Sequence, residues 1–159
     1  MSYLVLKTLH ILFVIAFVGN ITTGLFWARR AMRTRDLRRI ADTFDGITQS
    51  DRVFTIPGVI GIVVTGIAAA ILGGLPILRT GWIFWPIVLF AISGIVFGVW
   101  VAPLQRRIRE LAASDPSSDN YWVKVETLFR RWELWGALAL LTLVAAAAIM
   151  VFKPALPGV

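Results

Sequence analysis

The stretch RRAMRTRDLRRIADTFDGITQSDR, residues 29–52, holds seven arginines and four aspartates. It lies between two runs, Tyr3 to Trp27 and Val53 to Leu75, in which Lys7 is the only charged side chain. Dense charge beside apolar runs of this length is the pattern of a membrane protein, because ~20 helical residues cross the ~30 Å hydrocarbon core of a bilayer. A second block, Arg106 to Glu133, separates the apolar runs Trp82 to Val101 and Leu134 to Phe152 in the same way.

The four runs predict four spans. Backbone groups in lipid must be satisfied within the segment, so each span is a helix. The expected fold is all-α: one four-span transmembrane domain over residues 1–159, forming a four-helix bundle with helical cytoplasmic extensions. Composition agrees, with 58% hydrophobic and only 16% charged residues, against about 25% charged in soluble domains, and a mean hydropathy of +0.79. Cysteine is absent, which removes disulfides, thiolate metal sites and a cysteine nucleophile. The net charge of +7 flanks apolar segments, so it points to anionic headgroups and not to nucleic acid. The first run has no basic leader and ends in Trp-Ala-Arg-Arg, so it is expected to be retained and not cleaved as a signal peptide.

Orientation follows from the connections. The first carries Arg29, Arg30, Arg33, Arg35, Arg38, Arg39 and Arg52, and the third carries Arg106, Arg107, Arg109, Lys124, Arg130 and Arg131. The second carries only Arg79. The positive-inside rule therefore puts the first and third connections in the cytoplasm and both termini outside. Trp82 and Trp85 are expected at the outer interface, and Trp27, Trp100, Tyr121, Trp122, Trp132 and Trp135 at the inner one.

Within the first connection, Leu37, Ile40, Ala41, Phe44 and Ile47 recur at helical spacing, which predicts an amphipathic helix. One reading is an interfacial helix lying on anionic lipid. The other is an inward extension of the second span docked on a partner, with bends at Gly46 or Pro57. In the third connection, Gln105 to Ala113 continue as a polar helix, Ser114 to Ser118 form a break, and Asp119 or Asn120 caps a fourth helix that starts inside the cytoplasm. The two halves resemble each other as span, basic stretch, span.

Small residues mark helix packing: Gly58, Gly61, Thr65, Gly66, Ala69 and Gly73 on the second span, Gly94 and Gly98 on the third, and Gly136 and Ala139 on the fourth. Packing within one bundle is the expected use, and a homodimer is the alternative. Ionisable groups inside spans are functional candidates. Lys7 and His10 share a face of the first helix, and His10 is the only histidine. Its imidazole can ligate a metal or haem iron or relay a proton. The plain alternative is that Lys7 snorkels outward and His10 bonds a neighbouring helix. Asn20 is expected to make an interhelical hydrogen bond.

Leu6 to Phe13, Gly19-Asn20, Trp27-Ala28-Arg29-Arg30, and Asp51-Arg52-Val53-Phe54-Thr55-Ile56-Pro57-Gly58 with Gly66 are similar to a bacterial family of predicted four-helix membrane proteins of unknown function. That resemblance covers almost the whole chain and implies a multi-pass protein of the bacterial inner membrane. It supplies no activity. A more distant similarity is to the haem-binding membrane protoporphyrinogen IX oxidases and the copper-resistance D-type membrane proteins, which open with a comparable Leu-His-Ile-like first helix. It implies His10 as a ligand of haem b, with Met150, Lys7, a water or the partner subunit's His10 as the other axial group. This chain lacks a second histidine and a lysine in the third span, both of which such sites use.

Three classes of function stand. The first is a partner- or lipid-binding module acting through the basic cytoplasmic helices, with no chemistry of its own. The second is a haem- or metal-binding redox protein centred on His10. The third is a small transporter or channel; the four runs hold no acidic residue, so its surviving form carries an anion held by Lys7. Soluble-enzyme motifs such as a Walker loop, His-Glu-x-x-His or Gly-x-Ser-x-Gly do not occur in the sequence.

Overall fold

A computed structural model describes residues 2–114 and 121–159. Helix α1 runs Ser2–Thr34, α2 Leu37–Ser50, α3 Ile56–Leu72, α4 Gly81–Val96, α5 Ala102–Ala113 and α6 Tyr121–Phe152. Two π-helical turns, Asp51–Thr55 and Phe97–Val101, fuse α2 to α3 and α4 to α5. Four rods result, of 33, 36, 33 and 32 residues. At 1.5 Å per residue each is ~50 Å long, so each crosses a ~30 Å core and projects ~20 Å beyond it. The projecting ends form a helical head that carries both charge blocks. The expected break from residue 115 onward and the cap at Asp119 or Asn120 lie outside the described residues.

The second run was expected to reach Leu75, but α3 stops at Leu72 and the chain turns through Gly74, whose φ of 64° suits glycine. At the head, Asp36 caps α2 by accepting hydrogen bonds from the backbone N–H groups of Arg38 and Arg39 at 3.0 and 3.2 Å, filling donors that the first turn leaves unpaired.

Each π turn lies directly before a proline. Pro57 and Pro103 have no N–H to donate, and each ring would clash with the carbonyl four residues back. A turn widened by one residue absorbs the mismatch: the Ile56 N–H reaches the Asp51 carbonyl and the Ala102 N–H reaches that of Phe97. Gly46 stays within regular helix. The adjustment expected at Gly46 or Pro57 thus falls just before Pro57, as a bulge.

Burial is inverted between the two halves. In the spans, large apolar side chains face outward: Ile60 is 59% exposed and Leu141 65%, as lipid contact requires. In the head, Ile40, Phe44, Ile108 and Val125 are fully buried, and Phe44 meets Trp132 edge-on at 5.0 Å. This arrangement corrects the interfacial reading of α2. Its apolar stripe is buried in a core shared with Ile108 on α5 and Val125 on α6, so no apolar face remains to lie on lipid, and α2 is a helical extension of the second span. Two aromatics are corrected as well. Trp132 and Tyr121 belong to the head core, whereas Trp27 is half exposed and Trp100 stacks on Trp135 at 4.6 Å.

Within the bilayer-spanning half, α1 packs on α3 and α4 packs on α6. Glycines on α3 receive the side chains of α1. A Cβ at Gly58 would lie 3.2 Å from Phe17, at Gly61 2.5 Å from Phe13 and at Gly66 3.0 Å from His10. The expected intra-bundle use of the α3 glycines holds. It does not hold for Gly94 and Gly98, where a Cβ would meet nothing within 4 Å.

Candidate functional site

α1 also touches α6, but the α4 backbone stays clear of α1 and α3, so a seam remains between the α1–α3 pair and α4. Three cavities follow it. One of about 200 Å³ lies toward the head, one of about 170 Å³ lies mid-span, and one of about 460 Å³ lies at the distal end opposite the head. Phe17 and Phe90, with ring centroids 5.9 Å apart, line both the first and the second and form the wall between them. His10, Gly66, Ala70 and Met150 line both the second and the third.

A polar cluster closes the head end. The Asp51 Oδ1 accepts from Thr55 Oγ1 at 2.8 Å and from Asn20 Nδ2 at 3.4 Å, and its Oδ2 accepts from Gln105 Nε2 at 3.2 Å. Gln105 also donates to Thr48 at 3.0 Å and accepts from Trp132 Nε1 at 3.4 Å. Ser50 donates to the Asn20 side-chain oxygen. The cluster ties α1, both composite rods and α6 together at the level of the π turns. Among the described residues no buried side-chain nitrogen or oxygen lacks a partner, so the cluster is internally complete and acts as a clasp. Asn20 makes the interhelical bonds expected of it. Asp51 was missed, because in the sequence it reads as one more charge beside Arg52. The proline six residues later was the available signal, since it displaces the helix that carries Asp51 inward.

At the distal end the His10 Nδ1 lies 3.0 Å from the Ile62 carbonyl and 3.3 Å from Thr65 Oγ1. A carbonyl only accepts, so Nδ1 carries the proton in that contact and Nε2 is left as the acceptor. Lys7 and His10 both line the 460 Å³ cavity, as does Lys153, whose ammonium sits 4.7 Å from the centre of the Trp82 ring. The structure therefore brings the two in-span candidates to one cavity and adds Lys153 to them.

The basic residues are distributed over the head. Arg29, Arg30, Arg33, Arg38, Arg39, Arg106, Arg107, Arg130 and Arg131 are exposed, and Arg109 is half-buried. Arg29 pairs with Glu133, Arg39 with Asp36 at 3.2 Å, Arg109 with Asp45 at 3.1 Å and Arg130 with Glu126 at 2.8 Å. Between α1 and α6 a groove of about 460 Å³ is lined by Arg29, Arg33, Arg35 and Arg130 together with Glu126 and Glu133.

The family described as "Predicted integral membrane protein (DUF2269)" matches residues 4–154. The chain belongs to this family. It is a multi-pass integral membrane protein, consistent with the four helices long and apolar enough to cross a bilayer. No curated protein and no solved structure matches it.

The haem expectation finds no support in this geometry. His10 lines a mid-span cavity of about 170 Å³, close to the ~150 Å³ engineered cavity that holds a benzene, and a distal cavity of about 460 Å³. Gly66 packs against the Cε1–Nδ1 edge of the imidazole, with a Cβ position 3.0 Å from Cε1 and 3.2 Å from Nδ1, so Nδ1 is the nitrogen that faces α3 and is already engaged by the Ile62 carbonyl. Among the described residues no group of three or more His, Cys, Asp or Glu side chains converges to hold a metal ion. His10 is the only histidine of the chain, so one chain offers no bis-histidine pair for a haem iron.

Proposed function

We propose that the protein is a lipid-binding module of the bacterial inner membrane. In this reading both termini lie outside, and the cytoplasmic head binds anionic headgroups in the groove between α1 and α6. The carrying observation is the groove itself. Its two glutamates are each engaged by an arginine, Glu133 by Arg29 and Glu126 by Arg130. Arg33 and Arg35 line the same groove and make no ion pair among the described residues.

Position supports the same reading. Arg29 follows Trp27 by two residues and Arg130 precedes Leu134 by four; with the apolar runs as the spans, both would lie ~3–6 Å beyond the hydrocarbon edge, at the ~5–8 Å headgroup layer. Basic pockets between spanning helices on the cytoplasmic side are suited to anionic headgroups, at about 1 kcal/mol per arginine near the surface. The positive-inside count supports this orientation.

Native mass spectrometry tests this directly. Protein released from mixed phosphatidylglycerol and phosphatidylcholine should retain phosphatidylglycerol selectively, and Arg33→Gln with Arg35→Gln should abolish the selectivity. Equal retention of both lipids by the unaltered protein would contradict the proposal.

A further inference from the structure

We infer that the distal cavity is a binding site for an anionic amphiphile, independent of the head groove. A carboxylate or phosphate is held at the mouth by the Lys7 and Lys153 ammoniums, and one hydrocarbon tail runs between the helix pairs past His10 to the Phe17–Phe90 wall.

Charge selects the headgroup. All nine acidic residues of the chain lie between Asp36 and Glu133 in sequence, and the described ones lie in the head half, whereas the distal end carries Lys7, Arg79 and Lys153. Lysines near the end of a span ordinarily snorkel into the interface. Here two of them, from α1 and from the segment after α6, line one cavity, and Trp82 holds Lys153 by its ring face. Two ammoniums without a carboxylate repel each other, and an anion between them removes that repulsion and gains charge-assisted hydrogen bonds.

Shape and chemistry select the tail. The distal and mid-span cavities abut, with His10, Gly66, Ala70 and Met150 lining both, and the proposed tail passes between these side chains. From Lys7 to Phe17 the depth is ten residues of helix, ~15 Å. Beyond the mouth the walls are apolar except for the His10 ring, whose Nδ1 is already engaged by Ile62. A hydrocarbon chain gains favourable burial there, and a polar solute loses its water without replacement. The Phe17–Phe90 pair closes the far end, which limits the tail to a medium-length chain.

The test uses the full protein in phosphatidylcholine nanodiscs, with radiolabelled laurate as the probe and empty discs as background. Saturable binding near one laurate per chain is expected, competed by dodecyl phosphate and only weakly by dodecanol. Lys7→Gln with Lys153→Gln should weaken it on the order of tenfold or more, the ~1.4 kcal/mol scale of one lost charge-assisted contact. Ala70→Phe, which fills the shared wall, should remove binding while both lysines remain. The lysine variants alter only exposed charges, so their folding is not in question if Ala70→Phe is unstable. Competition by unlabelled laurate and dodecyl phosphate but not by phosphatidylglycerol supports a monoacyl anion in the site, and equal competition by phosphatidylglycerol overturns the single medium-length tail. Equal competition by dodecanol, or unweakened binding by the lysine variants, overturns it. Arg33→Gln with Arg35→Gln leaves laurate binding intact, so failure of the head reading and of this one are distinguishable.

Discussion

Phe13 of α1 fills the space above Gly61 of α3 so closely that a Cβ built on the glycine would fall 2.5 Å from its ring. No real Cβ contact is that short, so the helix pair depends on the missing side chain. Gly61→Ala is expected to push α1 away from α3 and to cost about 1–3 kcal/mol, read as a lowered melting temperature in mild detergent. Gly98→Ala is the control. Nothing lies within 4 Å of that position, and alanine is the better helix former, so its melting temperature should stay level or rise.

A matched isoleucine pair tests the inverted burial. Ile40 is 0% exposed in the head and Ile60 is 59% exposed on α3. Ile40→Ala leaves a cavity in a packed core and should cost about 2–5 kcal/mol. Ile60→Ala exchanges one lipid-facing surface for another and should cost under about 1 kcal/mol. Equal losses in chemical denaturation would mean that the head is not a water-facing core.

Asp51 accepts from three side chains on two other elements and its own turn. Removing the carboxylate strands Gln105, Asn20 and Thr55 as partly buried donors, at about 1–3 kcal/mol for unpaired groups. Asp51→Ala should therefore destabilise the protein and loosen the head end of the seam, while Asp51→Asn, which keeps acceptor oxygen for part of the network, should lose less. Hydrogen exchange across Asp51–Thr55 and Phe97–Val101 would register the difference, and identical exchange in both variants would count against the clasp.

The Asp36 cap is local. Asp36→Ala should cost ~1 kcal/mol and raise hydrogen exchange in the first turn of α2, without altering exchange in the mid-span segments of α1 or α6.

The spans were legible because apolar length and charge spacing are local properties of the chain. The helical nature of the head was legible too, from the spacing of Ile40, Phe44 and Ile47. What those residues pack against was not, since an amphipathic stripe reads the same whether it faces lipid or a protein core, and only the proximity of Ile108 and Val125 decides. Asn20 announced itself as a lone amide in an apolar helix. Asp51 did not, because its role arises from the π turn that Pro57 forces, a displacement that residue type alone does not encode. Lys153 likewise gained its place at the distal cavity through the chain's return across the bundle end, where the Val159 N–H bonds the Leu78 carbonyl at 2.9 Å.

The central claim is that a charged helical head hangs on the cytoplasmic side of a four-span bundle, and the chain's lack of cysteine makes that directly measurable. Leu78→Cys marks the short distal connection and Arg38→Cys marks the head, both at exposed positions. In intact spheroplasts a membrane-impermeant maleimide should label Leu78→Cys at once and Arg38→Cys only after the membrane is opened. Labelling of Arg38→Cys in sealed spheroplasts would contradict the account.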